Sequence, residues 1–279
     1  MEAGRPSRTA FAAASHRAAH QVLERGALFQ DPLALRILGA DADAAVRRAQ
    51  NEPEQRRMRM FIAMRTRFTE DALREAVLSG VKQLVVLGAG LDTFAYRSPY
   101  GAALRVFEVD YPATQAWKRE RLAEAEIEVP EWLTYAPVDF ERETLDEGLT
   151  AAGFDPKLQT FFTWLGVVPY LSDAAIWATL GFIARVEGGA HVIFDYSDPP
   201  ETLDAEGRAY HDERARRVAA VGERWVSFFE PAALRERLLE LGFLETEDLR
   251  PGQLVNRYFP GKGDALPRRG GHVLRAWTV

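Results

Sequence analysis

The chain has 279 residues, of which 47% are hydrophobic and 27% charged, fractions typical of a globular protein with a sizeable core. Its formal net charge of −6 argues against a nucleic-acid-binding surface. The absence of cysteine excludes disulfides, thiolate nucleophiles and cysteine-ligated metals. No apolar run approaches the length of a membrane span, and the first residues lack the apolar core of a secretory signal. We therefore expect a cytoplasmic protein without a nucleic-acid or membrane partner.

The first 80 residues are predicted to be helical. Alanine-rich periodic stretches cover residues 9–24, 32–38 and 56–79, with glycines and prolines between them. Gly80 is typical of a helix C-terminus. This pattern predicts an N-terminal helical cap over residues 1–80, before a core over residues 81–279 with a second cap segment around 200–225.

Beyond residue 80, short apolar strands alternate with helices. Strands are predicted at 82–88, 104–110, 133–139, 160–165, 191–196 and 272–279. Helices are predicted at 111–126, 142–153, 172–185, 201–221 and 230–242, and a glycine- and proline-rich loop at 252–271. Because this alternation requires crossover connections, we expect a single α/β domain with a doubly wound, mostly parallel sheet.

A glycine-rich turn follows the first predicted strand. Gly88, Ala89 and Gly90 allow the backbone to turn sharply and to lie against a ligand, at the start of a predicted helix with unpaired N–H groups. Position 93 is Thr where a dinucleotide fingerprint has its third glycine. The turn therefore fits a nucleoside better than a dinucleotide, and a tight turn without a ligand is the alternative.

Two acidic residues end the second predicted strand. Glu108 and Asp110 are two positions apart, so they share one face of the strand. A carboxylate about twenty residues after the glycine turn can accept hydrogen bonds from both hydroxyls of a ribose. We expect one of the two acids to bind ribose and the other to support it.

Further motifs occur in a fixed order along nearly the whole chain. They lie at residues 7–19, 28–34, 64–68, 88–93, 107–112, 137–140, 164–171, 222–225 and 230–231. In this ordered set the chain resembles the leucine carboxyl methyltransferase family, in its bacterial class I branch. The resemblance implies an enzyme that binds S-adenosylmethionine and methylates oxygen, often the oxygen of a carboxylate.

The resemblance also implies residue roles. Arg65 occupies the position that binds the methionyl carboxylate of the cofactor. Gly88 lies against the cofactor, and Asp110 binds its ribose. Asp139 and Phe140 meet the adenine. Further cofactor-binding candidates in these motifs are Arg17, which alternatively contacts the substrate, and Ala89, Gly90, Asp92, Tyr111 and Trp164.

One position departs from the family pattern. Many relatives carry a glutamate that contacts the methionyl amino group, and this chain has Leu165 there. We expect the methionyl ammonium group of the cofactor to contact backbone carbonyls around Gly88 or Trp164 instead.

Methyl transfer from a sulfonium is an in-line displacement that requires alignment and exclusion of water but no metal. A carboxylate acceptor is already ionised at neutral pH, whereas a hydroxyl usually needs a general base. The segment 165–171 contains no acid or base, and Tyr170 has its only polar side chain. We therefore predict methylation of a small organic acid or natural product, with Tyr170 as a catalytic candidate.

Three other functions stay open at this point. One is a non-catalytic relative that binds a nucleoside ligand or another protein, an alternative that Leu165 leaves open. A hydroxyl O-methyltransferase would need a base, and His16 and His211 are the candidates for it. A nicotinamide-dependent oxidoreductase could use a similar sheet. The arginines at 56–59 and at 214–217 are interpreted as solvated helix faces, while 201–221 is expected to help form the acceptor pocket. The sequence does not fix the oligomeric state.

Overall fold

A seven-stranded sheet lies at the centre of the protein. The computed structural model describes residues 7–264 and 269–279. The strands are β1 Gln83–Leu87, β2 Arg105–Asp110, β3 Leu133–Pro137, β4 Thr160–Trp164, β5 Ala190–Ser197, β6 Glu245–Leu249 and β7 Gly271–Trp277. Their order is β3-β2-β1-β4-β5-β7-β6, in which β1 to β5 pair in parallel and β7 pairs antiparallel with β5 and β6. The predicted doubly wound, mostly parallel sheet is confirmed.

Ten α-helices connect and cover these strands within the described residues. They are α1 Arg8–Leu23, α2 Ala42–Asn51, α3 Arg56–Leu78, α4 Phe94–Arg97, α5 Pro112–Glu124, α6 Leu145–Ala151, α7 Asp173–Ala184, α8 Ala205–Ala220, α9 Pro231–Leu241 and α10 Pro251–Tyr258. Ser7, Thr144, Ser172 and Asp204 cap four of them by accepting a backbone N–H in the first turn. The boundaries therefore follow ordinary capping chemistry.

The structure differs from the predicted elements in four segments. The predicted helix at 32–38 is instead a pair of turns followed by a 3-10 helix, Arg36–Asp41, and α2 follows it where no helix was expected. The helix expected after Gly90 is the single turn α4. Part of the predicted loop at 252–271 is α10, which begins at Pro251 and buries Leu254. Strand β6 was missed because its sequence, ETEDL, is polar and buries only Leu249.

The N-terminal helices lie over the carboxyl ends of the parallel strands. Ala14 and Ala18 of α1 belong to a core cluster with Leu91, just after the glycine turn, and Leu122 of α5. A further contact fixes α1 above the turn, because a Cβ atom built on Gly90 would lie 2.9 Å from Ala10. Residues before β1 thus cover the edge where a ligand is expected, and the division at residue 80 stays a prediction.

Candidate active site

A cavity of about 400 Å³ opens at the carboxyl ends of β1 to β4. Helices α1 and α3 contribute to its wall, together with the segment after α8. The structure brings most of the predicted site residues to this cavity: Arg17, Arg65, Gly88, Ala89, Gly90, Asp92, Asp110, Tyr111, Asp139, Phe140 and Tyr170. These residues come from six separate parts of the chain, so their convergence depends on the parallel sheet.

The glycine turn needs backbone conformations that favour glycine. Gly88 and Gly90 have φ angles of 65° and 47°, in the left-handed region. The N–H groups of Gly88 and Ala89 donate to the carbonyl of Val109 on β2, at 2.8 and 3.1 Å. These two donors are used within the protein and are not available to a ligand.

Asp110 is the acid at the end of β2 that faces the cavity. Its side chain accepts hydrogen bonds from the backbone N–H groups of Gly90 and Tyr111. Burial raises the pKa of Asp110 to about 6, although these two donors act in the opposite direction. The carboxylate is thus held rigidly, where two hydroxyl donors of a ligand would stabilise its charge.

Glu108 lies deeper in the sheet and does not line the cavity. Its carboxylate forms a 2.7 Å ion pair with Lys118 of α5, and both side chains are only 1% exposed. The Tyr96 hydroxyl donates to the same carboxylate at 3.2 Å. Glu108 therefore holds α5 against β2, beside Asp110.

Two buried arginines line the cavity from the N-terminal helices. Arg65 of α3 pairs with Asp195 of β5 at 2.6 Å, and Asp195 also accepts the backbone N–H of Gly166. Arg17 of α1 donates to the carbonyl of Leu91. The Nε atoms of both arginines are buried without a hydrogen-bond partner among the described residues. Two unused donors of this kind suit an anionic ligand group in the cavity.

Asp92 follows the glycine turn and stabilises the single turn α4. It accepts the backbone N–H of Phe94 at 2.8 Å, and a guanidinium nitrogen of Arg17 lies 3.9 Å from its carboxylate. Burial raises the pKa of Asp92, but the opposing effect of nearby positive charges, Arg17 foremost, leaves this pKa below its ordinary value. Asp92 is accordingly ionised and orients Arg17.

Asp139 and Phe140 follow β3 at the cavity rim. Asp139 accepts the backbone N–H of Glu141 at 3.1 Å, and α6 has Thr144 as its own N-cap. Phe140 packs against Trp164 with ring centroids 6.3 Å apart. The half-buried ring of Phe140 thus offers an apolar surface to a flat ligand.

Three predicted site residues are not among those that line the cavity. The Trp164 side chain is fully buried in the core. His211 packs against Trp225 and Phe228, with Nδ1 at 3.0 Å from Asp212. His16 is half-buried, and burial together with nearby arginines lowers its pKa to about 4. The structure therefore does not support either histidine as a general base at the cavity.

Sequence reasoning missed Glu223 as a site residue. Its buried carboxylate accepts the backbone N–H groups of Arg8 and Thr9 at 3.0 and 3.3 Å, and the hydroxyls of Ser7 and Thr9 at 3.1 and 2.6 Å. It therefore fixes the start of α1 over the cavity. The motif at 222–225 was the only signal, and it does not reveal a partner more than 200 residues away.

We predict that Glu223→Ala lowers the free energy of unfolding by about 1–3 kcal/mol, because the first N–H groups of α1 lose a charged acceptor. Denaturant unfolding measures this change. Glu240→Ala, at an exposed position of α9, is the control and should change it by less than about 0.5 kcal/mol. Equal stability of the two variants would contradict the assigned contact.

The fold is of the class I methyltransferase type. Two solved structures share the fold: a protein from Thermobifida fusca described as "a putative methyltransferase" (TM-score 0.57, 15% identity, covering 99% of this chain and 96% of that one), and a DUF574 family protein from Streptomyces avermitilis (TM-score 0.53, 18% identity, covering 94% and 96%). Residues 10–184 match the leucine carboxyl methyltransferase family, and the chain belongs to this family.

Curated relatives agree with that assignment. The chain is 34% identical over 232 residues to the "Putative S-adenosyl-L-methionine-dependent methyltransferase YktD" of Bacillus subtilis, covering 78% of this chain and 75% of the relative. A protein of Mycobacterium avium with the same class name is 31% identical over 258 residues, covering 86% and 79%. The predicted family, the enzyme class and S-adenosylmethionine as its cofactor are confirmed, and the oxidoreductase alternative is no longer supported.

Among the helices of residues 7–264 and 269–279, none combines the length and the apolar character required to cross a bilayer. A cytoplasmic location stays a prediction, as does the absence of a nucleic-acid partner.

Proposed function

We propose that the protein methylates the carboxylate of a small organic acid or natural product, with S-adenosylmethionine as the methyl donor. The observation that carries this proposal is the character of the cavity: Arg142 and Arg224 line it in addition to Arg17 and Arg65, and no histidine of the described chain lines it. Such a site can orient an anionic acceptor but is poorly equipped to deprotonate a neutral one.

The cavity residues fit the cofactor. Asp110 accepts hydrogen bonds from the ribose hydroxyls, and Asp139 and Phe140 contact the adenine. Arg65 and Arg17, whose Nε–H groups have no partner among the described residues, are assigned to the methionyl carboxylate. Bound S-adenosylmethionine supplies an electrophilic methyl group, and the protein contributes alignment, exclusion of water and charge.

The side chains of the segment that follows β4 disfavour a hydroxyl substrate. Burial raises the pKa of Tyr170, so its phenol keeps its proton at neutral pH and can donate a hydrogen bond. Leu165, which also lines the cavity, has no titratable group. A carboxylate needs no proton removal: its oxygen forms a bond to the methyl carbon as the sulfur–methyl bond breaks. A methyl ester and a neutral thioether result, and no proton is released.

We predict that the turnover rate at saturating cofactor stays flat from about pH 6 to about pH 8, because the acceptor is ionised throughout this range. The measurement is the transfer of labelled methyl groups to a panel of carboxylic acids and phenols at several pH values. Methylation of phenols alone, with a rate that rises with a base-like pKa, would replace this proposal with hydroxyl methylation.

We also predict that Arg65→Met raises the dissociation constant of S-adenosylmethionine by at least about tenfold, through the loss of a charged donor to the methionyl carboxylate. Calorimetric titration measures this constant. Arg57→Met is the control, since Arg57 is exposed on the same helix and stacks on Tyr210 at 4.3 Å. If the two variants bind the cofactor equally well, Arg65 does not hold it.

A further inference from the structure

Asp195 is a buried carboxylate that contacts the cavity wall without being part of it. It belongs to β5, where it pairs in register with Val273 of β7, and its side chain is 9% exposed. It is not among the described residues that line the cavity. Its two oxygens nevertheless accept hydrogen bonds from two residues that do, one in α3 and one in the segment after β4.

The first of these contacts is with Arg65 of α3. Oδ2 of Asp195 accepts a hydrogen bond from Nη1 of Arg65 at 2.6 Å, and the Arg65 side chain is 7% exposed. The two residues are 130 positions apart, so the ion pair joins the N-terminal helices to the sheet. A guanidinium has several N–H donors in one plane, and Asp195 uses the one at Nη1. The pair therefore holds Arg65 in place and leaves its Nε–H, which has no partner among the described residues, for a ligand.

The second contact is with the backbone of Gly166. Oδ1 of Asp195 accepts the N–H of Gly166 at 2.5 Å. Gly166 has a φ angle of 73°, in the left-handed region, and a Cβ atom built on it would lie 3.0 Å from Nη2 of Arg65. A side chain at this position would therefore press on the guanidinium. Glycine allows Arg65 to pack directly over the backbone that Asp195 holds.

The segment around Gly166 also contacts the glycine turn. The next residue, Val167, packs so closely on Gly88 that a Cβ atom on Gly88 would clash with its side chain. Gly88, Gly166 and Val167 all line the cavity, as Arg65 does. The Asp195 carboxylate thus fixes the guanidinium of Arg65 relative to the segment that packs on the turn.

We propose that Asp195 is a positioning residue for the cofactor, because it orients the Arg65 guanidinium before the methionyl carboxylate binds. This inference rests on the proposed role of Arg65. An arginine that is ordered in advance loses less conformational freedom when its ligand binds. Asp195 is itself an anion, and its charge alone would repel a second carboxylate. The sign of its effect on affinity therefore distinguishes orientation, which favours binding, from repulsion, which opposes it.

The test is a double-mutant cycle on cofactor affinity. S-adenosylhomocysteine is titrated calorimetrically into the wild type, Asp195→Asn, Arg65→Met and the variant that carries both substitutions. Asp195→Glu is titrated as well, because it keeps the negative charge but displaces it by one methylene group. Thermal unfolding verifies that each variant is folded.

Asp198→Asn is the matched control. Asp198 is also buried and accepts the N–H of a glycine, that of Gly270 at 2.8 Å, and a guanidinium nitrogen of Arg269 lies 3.5 Å from its carboxylate. None of these three residues is among those that line the cavity. The control therefore removes a similar buried charge without a contact to the cofactor site.

We expect Asp195→Asn and Asp195→Glu to raise the dissociation constant of S-adenosylhomocysteine by at least about fivefold, and Arg65→Met by at least about tenfold. In the Arg65→Met background, Asp195→Asn should change this constant by less than about twofold, because the residue through which it acts is absent. Asp198→Asn should also leave it within about twofold, even where it lowers the melting temperature.

The inference is overturned if Asp195→Asn binds S-adenosylhomocysteine as tightly as the wild type or more tightly. It is also overturned if this substitution weakens binding equally with and without Arg65, which is the result that a merely structural role predicts. Equal affinity of Arg65→Met and the wild type would remove Arg65 from the cofactor site, and this inference with it. None of these results bears on the methylation of a carboxylate, which the transfer of labelled methyl groups decides.

Discussion

Replacing Lys118 by methionine is expected to lower the free energy of unfolding by about 3–5 kcal/mol at pH 8, because it leaves the Glu108 carboxylate buried without its cation. Both side chains of this pair are 1% exposed, and the ion pair is 2.7 Å long. Denaturant unfolding measures the loss. Lys157→Met is the control, since Lys157 is exposed, and it should change stability by less than about 0.5 kcal/mol.

The pH dependence of the Lys118→Met variant provides a second check. Burial raises the pKa of Glu108 even with Lys118 present. In the variant the folded state therefore takes up a proton at a higher pH than the unfolded state, so stability is regained as the pH falls. Adding Glu108→Gln to Lys118→Met should recover part of the loss at pH 8. If the double variant is no more stable than Lys118→Met, the unpaired charge is not the cause.

Replacing Asp110 by alanine is expected to weaken the binding of S-adenosylmethionine by about 2–4 kcal/mol, because two charge-assisted hydrogen bonds to the ribose are lost. Calorimetric titration measures the affinity, and thermal unfolding verifies that the variant folds. Asp43→Ala is the control, since Asp43 is exposed on α2, and it should leave the affinity unchanged. An affinity equal to that of the wild type would remove Asp110 from the ribose site.

The pKa of Asp110 also predicts how cofactor affinity and stability depend on pH. Since this pKa is about 6, the carboxylate gains a proton as the pH falls below that value, and cofactor affinity should fall with it. The folded state keeps this proton at a higher pH than the unfolded state, whose carboxyl titrates near the ordinary 3.8. Ionisation of Asp110 therefore costs stability as the pH rises from about 4 to about 6. Asp110→Asn should remove both effects.

The part of the site that depends on local sequence could be predicted. Gly88 and Gly90 follow one strand, and Asp110 ends the neighbouring strand. Because neighbouring parallel strands end at the same edge of the sheet, this pattern predicts a ligand site at that edge. The five parallel strands are apolar and short, so their runs of hydrophobic residues predicted them correctly. Strand β6 is polar and pairs only at the edge of the sheet, so it carried no comparable signal.

The contacts made by the cap could not be predicted in the same way. Arg214 belongs to a run of charges that usually lies on a solvated face, but the return of the chain at Trp225 places an aromatic ring 4.6 Å from its guanidinium carbon. Glu223 contacts α1 through a separation of more than 200 residues. Arg59, interpreted as solvated, is buried against Glu24. Helical periodicity defines the faces of a helix but not which later segment packs against each face.

We propose that the cavity beside Gly88 and Asp110 holds an adenosyl ligand that donates a methyl group. Calorimetric titration of the wild-type protein with S-adenosylmethionine, S-adenosylhomocysteine and NAD⁺ measures which of these ligands the cavity binds. We expect one binding site for each adenosyl ligand, with weaker binding in Asp110→Ala, and no measurable heat of binding for NAD⁺. Binding of NAD⁺ at a site that Asp110→Ala impairs, with no response to either adenosyl ligand, would contradict it.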